Sequence, residues 1–166
     1  MPAVLAFPVA AQVVTIDGDT IRLNGTTYRL HGIDAAESRQ WCGDYPAGAI
    51  ATGMLAAMIR DRDVVCEPKT KDRYGRVVAI CRADGQDLGK AMVRLGAALA
   101  FTRYSADYVA DEDAARAEGL GVHGRGLSDA MGIPGSPAEV TPRYSSCSVR
   151  HGDRIPRRRG CAISGP

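Results

Sequence analysis

Alternating apolar and polar residues near the start of the chain predict three short strands, at 13–16, 20–23 and 27–30. Two dipeptides that favour tight hairpin turns, Asp17-Gly18 and Asn24-Gly25, lie between these strands. Each turn folds the chain back on itself. The segment is therefore predicted to form a three-stranded meander.

Helical spacing replaces this alternation in three later segments. The first helix is predicted to begin near Pro46, because proline is favoured at the first helical position. Its apolar residues recur every four positions: Ile50, Met54 and Met58. Asp87 can cap a second helix. The shared apolar face of that helix comprises Leu88, Met92 and Leu95. A third helix is predicted over 107–118.

Two further strand-like runs, at 64–66 and 76–81, lie between the first two helices. Residues 69–73 between them are mostly charged and are predicted to form a loop. The full order is three strands, one helix, two strands and two helices. Five short strands with a helix inserted after the third are typical of a small OB barrel. The predicted class is α+β, mainly β: a five-stranded OB-fold barrel with three helices.

Composition narrows the class of protein without deciding the function. With 166 residues, the chain is long enough for one domain with a substantial core. Its net charge of +2 permits nucleic-acid binding but does not argue for it, because dedicated duplex binders are more basic. Four arginines lie in the tail, at Arg154 and 157–159, so the rest of the chain is close to neutral. Tight binding of nucleic acid without a metal is therefore not expected. No stretch is long enough to span a membrane, and no membrane partner is expected.

The chain contains five cysteines, and none belongs to a CxxC pair. The three histidines are scattered, so a zinc site is not predicted. Cys66 and Cys81 lie in the two strand-like runs expected to pair, which suits a cross-hairpin disulfide in an oxidising compartment. Two buried thiols are the alternative. The remaining cysteines have no evident partners: Cys42, Cys147 and Cys161.

The first residues, 1–11, are apolar and end in small residues just before Gln12, which resembles the end of a secretory signal peptide. The positively charged start of such a peptide is missing, so a disordered lead into the first strand is the alternative. The signal interpretation, together with a disulfide, predicts a secreted or periplasmic protein.

Three carboxylates in and just after the meander are candidate ligands of a hard cation. Asp34 and Glu37 lie three residues apart in a short loop, so both can face one ion, and Asp19 follows a turn. A backbone carbonyl from Ala35 could complete an all-oxygen site, which suits Ca²⁺ and, less specifically, Mg²⁺ or Mn²⁺. Asp17 is interpreted as the turn residue itself. For any one of these acids, a solvated surface group or a turn cap is the alternative.

Two arginines are candidate phosphate ligands. Arg29 lies in the strand that leads to Asp34, and Arg76 follows a predicted bend at Gly75. The planar guanidinium matches phosphate oxygens, although a surface salt bridge is the alternative. Phosphodiester displacement gathers negative charge in the transition state, and fixed cations stabilise it. A metal would polarise the same phosphate. These residue types therefore suggest an enzyme acting on nucleic acid.

Four motifs, in this order, resemble the staphylococcal nuclease (thermonuclease) family. They are Asp-Gly-Asp-Thr, Tyr-Arg-Leu-x-Gly-Ile-Asp-Ala-x-Glu, Asp-Arg-Tyr-Gly-Arg, and Met92-Val93-Arg94-Leu95-Gly96-Ala97-Ala98. The resemblance covers roughly residues 13–120 and implies a five-stranded OB barrel with three helices. It also implies Ca²⁺-dependent cleavage of DNA and RNA at the 5′ side of the phosphodiester, leaving 3′-phosphates.

The resemblance also implies roles for individual residues. Asp19 and Asp34 stand where the family has direct metal ligands, and Ala35 stands where a threonine often lends its backbone carbonyl. Glu37 stands where a glutamate acts on the attacking water, as general base or as its orienter. Arg29 and Arg76 match the two arginines that bind the scissile phosphate in the family.

Other matches concern substrate binding. Arg73 and Tyr74 resemble a pair that contacts the neighbouring terminal phosphate. Tyr104 stands where an aromatic residue commonly lines the pocket, while Thr102 replaces a second one. Ala36 takes the place of the usual proline, which should loosen the loop slightly through chain entropy without abolishing activity.

The C-terminal part departs from the family pattern, which usually continues with a Trp-containing turn and a Pro-Trp-Glu-Tyr-Arg-like segment. Residues 131–138 can be encoded so that a frame shifted by one base gives Trp-Glu-Tyr-Arg. We hypothesise that one extra base near the codons of Val122 and His123 shifted the frame, and the nucleotide sequence decides this. A natural variable tail is the alternative. Three regions are predicted. Residues 1–12 are a signal remnant or a disordered start, residues 13–122 form the nuclease-like OB domain, and residues 123–166 form a disordered tail.

The sequence thus predicts a monomeric Ca²⁺-dependent nuclease with DNA or RNA as substrate. The rival from another class is a non-catalytic OB-fold module that binds nucleic acid or protein. A third interpretation is a secreted protein with intact motifs that is inactive because the altered tail misfolds. All the acids and arginines that an enzyme needs are present, which favours the first: Asp19, Arg29, Asp34, Glu37 and Arg76.

Overall fold

A computed structural model of the chain describes residues 12–41 and 45–124. The predicted signal remnant and nearly all of the predicted tail lie outside the described residues. The same is true of three cysteines: Cys42, Cys147 and Cys161. None of the helices in the described part of the chain is both long and apolar enough to cross a membrane.

The predicted meander is present as strands β1 (Val13–Asp17), β2 (Thr20–Leu23) and β3 (Thr26–Leu30), paired antiparallel in sequence. The two-residue turn between β2 and β3 has positive φ angles, 49° at Asn24 and 83° at Gly25. Such a turn matches the right-handed twist of the flanking strands, which is why Asn-Gly favours it.

Two long strands complete the main sheet, β5 (Val64–Lys71) and β6 (Val77–Ala83). The strand order is β1-β2-β3-β6-β5, and β3 pairs with β6 in parallel. A short strand, β7 (Gln86–Asp87), pairs with β6 as well. The described residues therefore form an α+β fold of the OB-like barrel type, as predicted.

The predicted charged loop over 69–73 is wrong in its first half. β5 continues to Lys71, which pairs with Val77, and a register shift between Pro68 and Thr70 interrupts the ladder without ending it. All its side chains from Glu67 onward are exposed. Charge in this segment therefore marks a hairpin that extends beyond the core, and not a loop.

A second, two-stranded sheet was not predicted. It pairs β4 (Ile33–Ala35) with β8 (Ala98–Ala100), antiparallel. Each strand has three residues, too few to show a period. The pairing matters because it fixes Asp34, opposite Leu99, in an ordered strand rather than in a loop.

The three predicted helices are present as α1 (Ala47–Ile59), α2 (Leu88–Arg94) and α3 (Val109–Glu118). The Asp87 side chain accepts a hydrogen bond from the backbone N–H of Lys90, at 3.0 Å, and so caps α2 as predicted. The helices cover a core whose largest fully buried side chains are Ile21, Leu30, Ile33, Leu55, Leu88, Met92 and Val93.

Cys66 and Cys81 lie directly opposite each other on β5 and β6, with Cα atoms 4.0 Å apart and sulfur atoms at bonding distance. Of the two interpretations of this pair, the structure favours the cross-hairpin disulfide over two separate thiols. The bond joins the two strands whose connecting turn carries Arg73, Tyr74 and Arg76.

A short 3₁₀ helix (Gly121–His123) ends the described chain and docks through two glycines. The N–H of Val122 donates to the carbonyl of Gly96, at 2.9 Å. A Cβ atom on Gly121 would lie 2.1 Å from that carbonyl oxygen, so only glycine allows this approach. Val122 then packs with Ala36 and Ala47 in a small apolar cluster.

We predict that Gly121→Ala lowers the free energy of unfolding by about 2 kcal/mol or more. Gly121 has a φ of 51°, where an L side chain costs about 1–2 kcal/mol, and the clash with Gly96 adds to this. Gly53→Ala is the matched control, because open space surrounds Gly53 within α1 and alanine should stabilise the helix by about 0.5–1 kcal/mol. Urea unfolding measures both, and equal stability of the two variants would contradict the docking described here.

Candidate active site

Strand register brings the candidate residues together. Thr20 pairs with Arg29 across β2 and β3, and the carbonyl of Asp19 accepts the N–H of Leu30, at 2.8 Å. In the parallel pair of β3 and β6, Arg29 lies opposite Val78. Arg76 is the residue just before β6, so the same pairing brings it near β3 and Arg29.

The guanidinium of Arg29 lies between two carboxylates. Its Nη1 donates to Asp19 Oδ2, and its Nη2 donates to Asp34 Oδ1 at 2.8 Å and to the carbonyl of Ile33 at 3.3 Å. All three charged residues are buried, with 9% of Arg29 and 6% of each aspartate exposed. Burial alone would lower the pKa of Arg29, but the two carboxylates raise it, so the guanidinium stays charged.

Asp19 is held by further hydrogen bonds. The hydroxyl of Thr20 donates to Asp19 Oδ1 at 2.8 Å, and the N–H of Ala35 donates to Asp19 Oδ2 at 3.4 Å. Ala35 therefore lies beside the acid with which it is predicted to share a metal. Its contact here is made by the N–H, and the part played by its carbonyl stays a prediction.

A cleft of about 320 Å³ opens beside this buried cluster. Its lining residues come from the end of β1, the β1–β2 turn, β3, the segment after β4 and the β5–β6 turn: Asp17, Asp19, Arg29, Glu37, Tyr74 and Arg76. Five of the nine predicted site residues thus meet in one cleft, and Asp34 adjoins it through Arg29. The volume lies at the small end of the range for ligand pockets.

Asp17 flanks the β1–β2 turn, as interpreted from the sequence, and it also lines the cleft, which that interpretation did not include. It is the last residue of β1, and its Oδ1 accepts the N–H of Gly18 at 2.9 Å. Burial, and then a hydrogen bond with the Glu37 carboxyl group, raise the pKa of Asp17 to about 6. Strand alternation does not link the two acids, because Asp19 lies in the turn after β1; their closeness in the sequence was the available signal.

Glu37 lies on a loop held tightly against the start of α1. Gln40 donates its N–H to the carbonyl of Glu37 at 2.7 Å, and its side-chain Oε1 accepts the N–H of Glu37 at 3.2 Å. Gly48 N–H donates to the carbonyl of Gln40 at 3.0 Å. A Cβ atom on Gly48 would lie 1.6 Å from the Glu37 carbonyl oxygen, so glycine is required there.

Arg76 is held by Asp72, an acid that the sequence analysis did not single out. The Nε of Arg76 donates to Asp72 Oδ2 at 2.6 Å. Partial burial would raise the pKa of Asp72, but the hydrogen bonds from Arg76 and Tyr74 outweigh it and lower the pKa. The available signal was the position of Asp72 at the start of a turn, four residues before Arg76.

The other predicted substrate residues are exposed. Tyr74 lines the cleft and is 63% exposed, and the Arg73 guanidinium carbon lies 4.8 Å from the centre of its ring. Tyr104 is 70% exposed and packs edge-on against Phe101, with ring centres 5.0 Å apart. It does not belong to the six residues that line the cleft.

The side chains of the site decide whether it could hold a divalent cation. Among residues 12–41 and 45–124, no three acidic, histidine or cysteine side chains converge into a metal-binding group. Two buried carboxylates do converge, Asp19 and Asp34, and both already contact one positive charge. Hard oxygen donors of this kind suit Ca²⁺, which takes its remaining ligands from carbonyls and water. The residues therefore fit a two-carboxylate site.

Comparison with known proteins identifies the family. Residues 27–123 match the family described as staphylococcal nuclease homologue, which is more than half of the chain. The chain therefore belongs to this family. The succinoglycan biosynthesis protein ExoI of Rhizobium meliloti (strain 1021) is 34% identical over 125 residues, which are 70% of this chain and 65% of that protein.

Two other relatives are named uncharacterized endonucleases. The protein from Escherichia coli is 34% identical over 112 residues, 64% of this chain and 70% of that protein. The protein from Haemophilus influenzae (strain ATCC 51907 / DSM 11121 / KW20 / Rd) is 31% identical over 113 residues, 64% of this chain and 61% of that protein. The chain thus spans between 61% and 70% of the lengths of these three relatives.

We predict that Arg29→Met, in the presence of a chelator, lowers the free energy of unfolding by about 3–5 kcal/mol. The substitution leaves two carboxylates buried without a counter-charge, which is the costly way to break an ion pair. Ca²⁺ should restore part of the loss by replacing the missing charge. Arg94→Met, at an exposed pair with Glu118, is the control and should change stability little. An Arg29→Met variant as stable as this control would contradict the buried ion-pair cluster.

Proposed function

We propose that this chain is a Ca²⁺-dependent nuclease that hydrolyses phosphodiester bonds of DNA or RNA. The observation that carries the proposal is the convergence of Arg29 and Arg76, from separate hairpins, on a cleft that adjoins a buried acidic pair. Membership of the staphylococcal nuclease homologue family and two relatives named endonuclease support it.

Arg29 and Arg76 bind the scissile phosphate in this proposal. Asp72 engages only the Nε of Arg76, so the Nη groups can donate to the phosphate. Arg29 adds a fixed positive charge to the wall of the cleft. In-line attack places extra negative charge on the phosphate oxygens, and charges held in position stabilise it without reorganisation. The two arginines therefore lower the barrier for displacement.

Asp19, Asp34 and the carbonyl of Ala35 would hold Ca²⁺, with both carboxylates fixed by the contacts described above. When bound, the cation supplies polarisation of the phosphate. Glu37 orients the attacking water or accepts its proton, because its side chain lines the same cleft and is exposed to solvent. The tight loop against Gly48 keeps Glu37 in place.

Arg73, Tyr74 and Tyr104 would bind parts of the substrate next to the scissile phosphate. Arg73 donates from Nη2 to the Tyr74 hydroxyl at 2.7 Å, so a cation and a phenol lie together at the tip of the β5–β6 hairpin. An exposed aromatic ring offers a face on which a nucleobase can stack. Tyr104, on a separate segment, would do this outside the set of six residues that line the cleft.

The cellular setting is part of the proposal. We infer a secreted or periplasmic monomer, and the opposed Cys66 and Cys81 support an oxidising compartment. The frameshifted tail and the signal remnant also stay proposals. The rival function, a module that binds nucleic acid or protein without catalysis, would leave single-stranded DNA uncut, and the experiment below separates the two.

We predict that the protein cleaves single-stranded DNA in the presence of Ca²⁺ and not in the presence of EGTA. Arg76→Ala should lower kcat by about 10²–10³-fold, the loss typical for one donor that stabilises transition-state charge. The control is Arg82→Ala, on β6, the strand that follows Arg76. Arg82 pairs with Glu67 and does not line the cleft, so this variant should keep its activity. Cleavage in EGTA, or full activity of Arg76→Ala, would contradict the mechanism.

A further inference from the structure

The turn between β5 and β6 is built around one carboxylate. Asp72 follows the last residue of β5, and its backbone N–H donates to the carbonyl of Arg76 at 3.0 Å. Gly75 N–H donates to the carbonyl of Asp72 at 3.1 Å, where its φ of 81° suits glycine. The turn is therefore closed by backbone bonds at its base.

The two oxygens of the Asp72 side chain have different tasks. Oδ1 accepts the backbone N–H groups of Tyr74 and Arg76, both at 2.9 Å, and so fixes the turn. Oδ2 accepts the side-chain Nε–H of Arg76 at 2.6 Å. The second contact is not needed for the turn. It ties the direction of a long side chain to the backbone that carries it.

The contact with Asp72 leaves the two Nη groups of Arg76 available to bind a phosphate. A guanidinium has five N–H donors, and the bond to Asp72 uses only the one on Nε. The centre of the Tyr74 ring lies 5.5 Å from the guanidinium carbon, within the range of a cation–π contact. Both side chains of the Asp72–Arg76 pair are largely shielded, with 18% and 26% exposed, so solvent weakens their charge-assisted bond only in part.

We propose that Asp72 is a positioning residue that holds the Arg76 guanidinium toward the cleft for the phosphate. The proposal rests on the nuclease function proposed above. Ordering the arginine before substrate arrives removes an entropy loss that binding would otherwise include. It also sets the guanidinium in one direction, and a misplacement of about 1 Å at such a group can cost about 10²-fold in rate.

Asp72→Asn separates the two tasks of this carboxylate. The amide oxygen can still accept both backbone N–H groups, whereas the amide nitrogen cannot accept the Nε–H of Arg76. We expect thermal stability close to that of the parent and a fall in kcat of about 10–100-fold, with a smaller change in KM. Asp84→Asn is the matched control: Asp84 also accepts a backbone N–H in a hairpin turn, from Asp63 at 3.1 Å, but does not line the cleft.

A double-mutant cycle tests whether Asp72 acts through Arg76. In an Arg76→Ala background, Asp72→Asn should leave the residual activity unchanged within about twofold, because the group to be positioned is gone. A parental kcat in Asp72→Asn would overturn the proposal. An equal loss in both backgrounds would also overturn it, since Asp72 would then act by another route.

NMR of the Arg76 Nε–H keeps this test independent of turnover. In the parent, the Nε–H order parameter should be near the rigid value of about 0.85, and in Asp72→Asn it should fall below about 0.6. An unchanged order parameter refutes the positioning role whether or not the protein cleaves DNA. If the parent does not cleave but the order parameter falls, the nuclease proposal fails and the positioning role stands.

Discussion

A buried arginine shared by two aspartates is the interaction on which the site depends. Arg29, Asp19 and Asp34 come from β3, the β1–β2 turn and β4, and each would be costly to bury alone. The three charged side chains can be buried only together, because each then neutralises another. The strands and the turn that carry them must therefore pack in the one arrangement that brings these side chains into contact. A buried ion pair of this kind adds little net stability but penalises every arrangement that separates its members. The fold therefore holds two hard oxygen ligands side by side beside an open cleft.

The rest of the site comes to this cluster by two separate routes. The parallel pairing of β3 with β6 begins at Val77, so it brings the adjoining β5–β6 turn, and with it Arg76, to the cleft that Arg29 lines. On the other side, α1 packs so closely on the loop after β4 that only glycine fits at position 48. The same loop contacts the end of the described chain, because Ala36 packs with Ala47 and Val122. The position of Glu37 thus depends on residues next to the point where the sequence departs from the family pattern.

Most of the fold could be predicted because its elements carry strong local signals. The meander has alternating residues and an Asn-Gly turn, and α2 has a capping aspartate, so propensity and tertiary structure agree. The strands β4 and β8 have three residues each and show no period, and β5 extends into a charged segment that reads as a loop.

Asp17 and Asp72 were missed for a related reason: each does what a turn residue does, and only the three-dimensional structure shows what else its carboxylate touches. The roles of the site residues remain predictions that the geometry makes physically coherent.

Calorimetric titration with Ca²⁺ measures whether the two aspartates held by Arg29 form a cation site. We predict binding at one site in the parent protein and a loss of affinity of at least about tenfold in Asp34→Asn, since hard cations depend on carboxylate ligands. Asp113→Asn, on the exposed surface of α3, should bind like the parent. A parent protein that binds no Ca²⁺, or an Asp34→Asn variant that binds it equally well, would contradict the account.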